Sequence, residues 1–332
     1  MQTPQKVLVS LLLLLISFPV TDVFSQAQPA PTTNISLQDL HRRDVCIYPD
    51  PLTKTYILIG SAGRTVVAFT SKDLLHWDGP RTLFTTPQNF WGDANIRSIW
   101  APELHAYNGK YYLFLTFDTD KLFAEQWLNW RPRVIRGSQI LVSDSLFGQY
   151  KPFQNHSTLP VNMMTLDGTL WVEDGNPYIV FAHEWVQISN GTIESAPLKN
   201  DLSEITAQPS LLFRGGEAPW AKITKTEGCF VTDGPFLYKS KSGKLMMIWA
   251  SFSEGGYTEG IAISESGKLA GPWKQQAEPL YKTDGGHAML FKTFEGKLMM
   301  TLHSPNSRDA RPHIFEMEDT GNTLQIVKEL KL

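Results

Sequence analysis

The feature that most constrains this chain is a two-strand unit that occurs five times between Asp44 and Ser304. Each copy has a polar residue, an apolar strand, a turn and a second apolar or aromatic strand. The copies are Asp44–Asp50 with Tyr56–Ser61, Trp100–Tyr107 with Tyr111–Thr116, and Asp167–Val172 with Tyr178–Ala182. Two more follow, Asp233–Tyr238 with Lys244–Ser251 and Gly286–Phe291 with Lys297–Ser304. Turns such as Asn108-Gly109 supply the positive φ that a tight hairpin needs. Third-strand candidates follow at 66–70, 139–143, 260–264 and 313–317. About four strands per unit, repeated at this spacing, predict an all-β, five-bladed β-propeller. A β-sandwich would explain alternating strands but not the repeated unit. The 332 residues would allow two domains, but propellers run longer as one. A single domain over 41–332 is therefore expected.

The ends and composition narrow the setting. Lys6, the apolar run Val7 to Ile16 and the small or polar Ser25, Gln26 and Ala27 have the layout of a secretory signal over 1–25. The run is too short for a membrane span of about 20 residues. Residues 26–40 read as a polar tail. The expected location is secreted or periplasmic, with no membrane partner. Net charge is −3 without a basic block, which argues against nucleic acid. The two cysteines, Cys46 and Cys229, fall on non-adjacent blades and are expected to be buried free thiols. Sequons at Asn34, Asn155 and Asn190 matter only in a glycosylating host.

Propeller closure has a chemical consequence. The first strand of each blade lines the axis, so residues at those strand starts converge although distant in sequence. Here they are Asp44, Glu103, Asp167, Asp233 and His287. An axis that only had to pack would carry apolar groups. Ionised carboxyls held together repel and are costly to desolvate. The pattern points to a functional centre.

These residues carry a resemblance. Arg43-Asp44 with Tyr56–Ser61, Trp100–His105 with Gly109–Leu113, Asp167–Trp171 and Asp233–Leu237 resemble glycoside hydrolase family 43, from about Arg42 to Arg311. The resemblance implies a secreted glycosidase acting on plant cell-wall oligo- or polysaccharide by an inverting mechanism. α-L-Arabinofuranosidase is the first reading; β-xylosidase, endo-arabinanase and galactan-active enzymes are alternatives within the family. It further implies Asp44 as general base, Asp167 as the carboxylate that orients the acid and adjusts its pKa, and Asp233 as general acid. His287 matches an axial histidine that holds an ion through water, and Arg311 a late arginine that touches substrate. No cofactor is required; an axial Ca2+ would suit a ring of oxygen donors. The chain departs from the family in carrying Asp233 where Glu is usual. Glu184 and Glu227 are the substitutes considered for that acid, and a non-catalytic carbohydrate-binding propeller is the reading that the departure keeps open.

Glycoside hydrolysis needs one protonated carboxyl for the leaving oxygen and one carboxylate to activate water. The two stand roughly 6.5 to 9.5 Å apart when water must fit between them. A third carboxylate beside the acid keeps it protonated by repulsion. Trp91, Trp100, Trp127, Trp130, Trp185 and Trp220 are candidates for stacking on sugar rings, with Glu103 and Glu184 as polar substrate contacts. The stretch Asp118 to Gly137 reads as an insertion in blade 2; its Trp127, Trp130, Arg131, Arg133 and Arg136 suit a binding lid or a solvated loop. No Cys/His cluster has zinc spacing, and there is no Gly-x-Ser-x-Gly elbow. A scaffold for protein partners has no use for axial carboxylates.

Overall fold

A computed structural model describes residues 32–224 and 228–331. The signal over 1–25 and the alternative acid Glu227 lie outside the described residues. The described chain is a five-bladed β-propeller: four sheets of four strands and one of five, each blade a meander of antiparallel neighbours. The innermost strands are Cys46–Asp50, Ile96–Tyr107, Thr165–Glu173, Asp233–Lys239 and Gly286–Lys292.

Local chemistry explains the meander. Asn108 and Gly109 both take positive φ, 47° and 75°, as do Asp174 and Gly175, 52° and 82°. Two left-handed residues in succession make the hairpin turn whose twist matches the flanking strands. The second strands are buried on both faces, and their side-chain alternation feeds two different interfaces. In blade 1, Ile57 and Ile59 pack toward blade 2, while Tyr56 and Leu58 pack toward blade 5. In blade 4, Met247 and Trp249 join blade 3, and Met246 and Ile248 join blade 5. Tyr112 and Phe114 of blade 2 meet Ile179 and Phe181 of blade 3. Each gap between blades thus holds its own apolar cluster, and burying those clusters is what closes the ring.

Closure between blades 5 and 1 uses packing rather than a shared strand. Phe291, Met299 and Ile314 lie against Leu58 and Val67, and the Tyr56 and Phe294 rings stack at 4.5 Å. Residues 32–39, expected as part of a polar tail, are instead built into the propeller. Thr32–Ser36 adds a fifth strand to blade 1 against His76–Thr85, and Leu37 of the following short helix is buried in the blade 5/1 cluster. Cys46 and Cys229 are buried and form no disulfide. Asn34 and Asn155 are exposed and Asn190 is half-buried. Among the described residues, no helix is long and apolar enough to cross a membrane.

Candidate active site

The inner strands share one local device. In every blade, the residue two positions before the regular ladder has a left-handed backbone. These residues are Asp44 (φ 51°), Ala101 (41°), Asp167 (55°), Gly234 (49°) and His287 (55°). The ladder resumes at Cys46↔Ile59, Glu103↔Phe114, Thr169↔Val180, Phe236↔Ile248 and Met289↔Thr301. In blades 2 to 5 the register shifts across this point, as a bulge requires. Asp and His tolerate the left-handed region better than most side chains. The bulge re-aims the residue at the axial end of the strand.

This register corrects the sequence reading in two blades. The blade 2 counterpart of Asp44 and Asp167 is Ala101, not Glu103. Glu103 stands two residues further along the strand, only 3% exposed, and pairs with His105 Nε2 at 2.7 Å. It does not line the cavity. In blade 4 the counterpart is Gly234, and Asp233 precedes it.

The strand ends open into a cavity of about 610 Å³ lined by Asp44, Asp167, Glu184, Asp233 and His287, with Trp100, Trp185 and Tyr257 among its walls. Arg311 is absent from the lining; its guanidinium lies 3.4 Å from His41 Nε2. Of the other candidate tryptophans, Trp91 and Trp220 are buried in the blade 1/2 and blade 3/4 clusters.

The three aspartates sit in different fields. Burial pushes the Asp44 carboxyl up, but His287, His303 and Arg43 outweigh it and hold the group well below the usual range. Arg43 Nε lies 3.0 Å from Oδ2, while His303 Nδ1 and His287 Nδ1 lie 3.0 and 3.6 Å from Oδ1. Asp233 is moved the other way. Burial and the neighbouring Asp167 push it well above the ordinary value, against His287 and a 2.9 Å hydrogen bond that Tyr257 Oη donates to Oδ2. Asp167 is raised by burial and by Asp44. Its Oδ2 accepts the Gly234 N–H at 3.1 Å, and its own N–H donates to Thr116 Oγ1 at 2.9 Å. Asp167 thereby grips the backbone beside Asp233. The site can hold one carboxyl ionised and another protonated at the same pH, as acid–base work requires.

The insertion of blade 2 forms one wall. Most of its ends are strand, since Lys110–Leu122 and Val134–Ser143 continue the sheet, so the irregular part is 123–133. Trp130 Nε1 donates to Val186 O at 2.7 Å and Arg133 Nη2 to Gln187 O at 2.6 Å, which docks the loop on the short helix Trp185–Ile188 of blade 3. Arg131 and Pro132 line the cavity. Arg136 pairs with Asp118 at 2.6 Å and with Glu184, and its guanidinium lies 4.1 Å over the Trp100 ring. Burial raises the Glu184 carboxyl while Arg136 opposes the shift.

Among the described residues, no group of three or more His, Cys, Asp or Glu side chains could hold a metal ion directly, and His287 Nδ1 faces Asp44 and Asp167 at 3.6 and 3.7 Å.

Sequence reasoning missed Tyr257 and His303 as parts of this centre, and it placed Arg136 in the blade 2 insertion without its pairing to Glu184. A signal existed for His303. Opposite the residue preceding the left-handed one, blades 2, 3 and 4 carry Thr116, Ala182 and Ala250, whereas blade 5 carries His303 against Gly286.

The model of the family described as glycosyl hydrolases family 43 matches residues 44–322. The chain belongs to that family. A solved endo-arabinase from Bacteroides thetaiotaomicron is 38% identical, with a TM-score of 0.77 over 86% of this chain and 98% of its own. An extracellular endo-alpha-(1->5)-L-arabinanase of Bacillus subtilis is 24% identical over 80% of this chain and 77% of its own length. The solved alpha-L-arabinofuranosidase from Lactobacillus brevis, 18% identical, shares the fold with a TM-score of 0.69 over 86% of this chain and 94% of its own. The family match and the 38% identical relative make the protein a glycosidase.

Proposed function

We propose that this protein is a secreted α-L-arabinofuranosidase that removes terminal arabinosyl groups from arabinan-containing polysaccharide with inversion. Asp44 is the base that activates water, Asp233 the acid that protonates the leaving oxygen, and Asp167 the group that holds and biases the acid. One observation carries the reading: in a single cavity, the surroundings favour the ionised form of Asp44 and the protonated form of Asp233. Trp100 and Trp185 offer apolar faces for a sugar ring. The arabinose preference draws on the names of the relatives. The terminal mode draws on the 123–133 loop, whose bonds to Val186 and Gln187 wall the cavity between blades 2 and 3. Endo action is the second reading, favoured by the names of the Bacteroides and Bacillus relatives.

The test is a panel of nitrophenyl arabinofuranoside, xyloside and galactoside plus linear arabinan. Products are separated by chromatography and the first-formed anomer is read by NMR. Free arabinose of inverted configuration is expected. Oligosaccharides appearing first from arabinan would replace the terminal mode by endo action. Asp44→Asn and Asp233→Asn, folded by circular dichroism, should each lose turnover of linear arabinan by about 10³-fold or more; a variant of either that still hydrolyses arabinan at the parental rate would remove its assigned role. Binding of arabino-oligosaccharide without any turnover would favour a carbohydrate-binding propeller.

A further inference from the structure

Asp233 is a short side chain for its task, and the structure surrounds it with one further residue that no strand-start pattern reveals. Tyr257 lies on the third strand of blade 4, Gly256–Ser264, and reaches the cavity from beside blade 5. We propose that Tyr257 is the positioning residue of the acid: its hydroxyl holds Oδ2 of Asp233, leaving Oδ1 to carry the proton that goes to the leaving oxygen. The inference rests on the assignment of Asp233 as acid.

The placement is over-determined. Tyr257 Oη donates to Asp233 Oδ2 at 2.9 Å. The Tyr257 N–H donates to Asp284 Oδ1 at 3.2 Å, and its carbonyl accepts the Gly285 N–H at 2.9 Å, so blade 5 grips the backbone on both sides. The ring lies against His303 with centroids 5.5 Å apart and planes 22° from parallel. On another side it meets Gly286, where an added Cβ would come within 2.9 Å of Cε1. The residue is 2% exposed. A side chain so confined cannot follow Asp233 if the carboxyl swings, so the carboxyl must stay with it. A phenolic O–H engaged with Oδ2 donates its own proton there, which places the transferable proton of a neutral Asp233 on the other oxygen. Proton delivery is then directional: the Oδ1–H bond breaks as the proton joins the glycosidic oxygen, and the carboxylate left behind keeps its bond from Tyr257. Through the same ring Tyr257 also touches His303, the partner of Asp44, so one aromatic pair spans the surroundings of acid and base.

The test compares leaving groups. Tyr257→Phe and Asp233→Asn are assayed with the wild type on arabino-oligosaccharide, whose leaving sugar alcohol needs protonation, and on 2,4-dinitrophenyl arabinofuranoside, whose leaving group does not. Tyr257→Phe should lose about 10²-fold in kcat on the oligosaccharide and less than about 5-fold on the activated substrate, with KM little changed. Asp233→Asn should show the same contrast, steeper. Equal losses of Tyr257→Phe on both substrates, or no loss, would overturn the positioning role while the Asp233 contrast kept the acid in place; a partly unfolded variant also loses equally and counts against the proposal. If Asp233→Asn shows no contrast, the acid assignment falls and the role of Tyr257 with it.

Discussion

Gly234 is where the axial geometry is most exposed to a single methyl group. Four of its counterparts, Asp44, Ala101, Asp167 and His287, keep a Cβ at φ between 41° and 55°, so the left-handed backbone alone does not demand glycine. At Gly234 (φ 49°) the neighbour decides: an added Cβ would lie 2.9 Å from Cγ of His287 and 3.1 Å from its Nδ1, where ordinary contact begins near 3.4 Å. Relief requires the imidazole to move by about half an ångström. It cannot do so freely, because Asp44 and Asp167 face the same nitrogen at 3.6 and 3.7 Å. Gly234→Ala should therefore cost about 1 kcal/mol for the backbone and about 1–3 kcal/mol for overpacking. Taken together that is about 2–4 kcal/mol, read as a lower denaturant midpoint with unchanged slope. Displacing His287 also displaces Asp44 and the Gly234 N–H that holds Asp167, so kcat should fall roughly 10- to 100-fold. The control is Ala101→Gly, at the corresponding left-handed position of blade 2, which should stay within about 1 kcal/mol of the parent. A Gly234→Ala variant with parental midpoint and kcat would refute the claim that His287 is wedged between the blades.

Removing the imidazole that faces Asp44 should move the pH profile. With His303→Gln, the Asp44 carboxyl loses a partner that depresses it and its value rises, so the acidic limb of kcat/KM should shift to higher pH; a limb that stays in place would separate Asp44 from that limb. Glu184→Ala leaves the buried Arg136 with Asp118 alone and should cost about 3 kcal/mol, with a raised KM because Arg136 also covers the Trp100 face. A variant of parental stability and KM would show that the pair is idle. Arg133→Ala removes the bond to Gln187 O and the stacking 3.5 Å from Trp127, so KM for arabino-oligosaccharide should rise about tenfold, about 1.4 kcal/mol of binding, while kcat moves little. A fall in kcat at constant KM would mean that the loop acts on chemistry rather than on binding.

What was legible from the chain alone is what depends on local pattern. Hairpin turns such as Asn108-Gly109 and apolar second strands such as Tyr111–Thr116 are encoded within a few residues, and their fivefold recurrence entails the propeller. That closure brings the starts of the inner strands together, which is why Asp44, Asp167 and Asp233 could be expected to meet. The family pattern around these residues names the same chemistry.

Only the tertiary structure decided the register at the axis. A bulge moves one residue without leaving a mark in composition, which is why Glu103 looked axial and Ala101 did not, and why Gly234 rather than Asp233 holds the left-handed position. The groups that set the state of the aspartates were equally hidden. His303 and Tyr257 come from second and third strands, where an isolated histidine or tyrosine reads as ordinary core. Arg136 and Glu184 meet across two blades, 48 residues apart. Charge and hydrogen bonding act over a few ångströms of space, and proximity between strands of different blades exists only once the packed clusters have closed the ring.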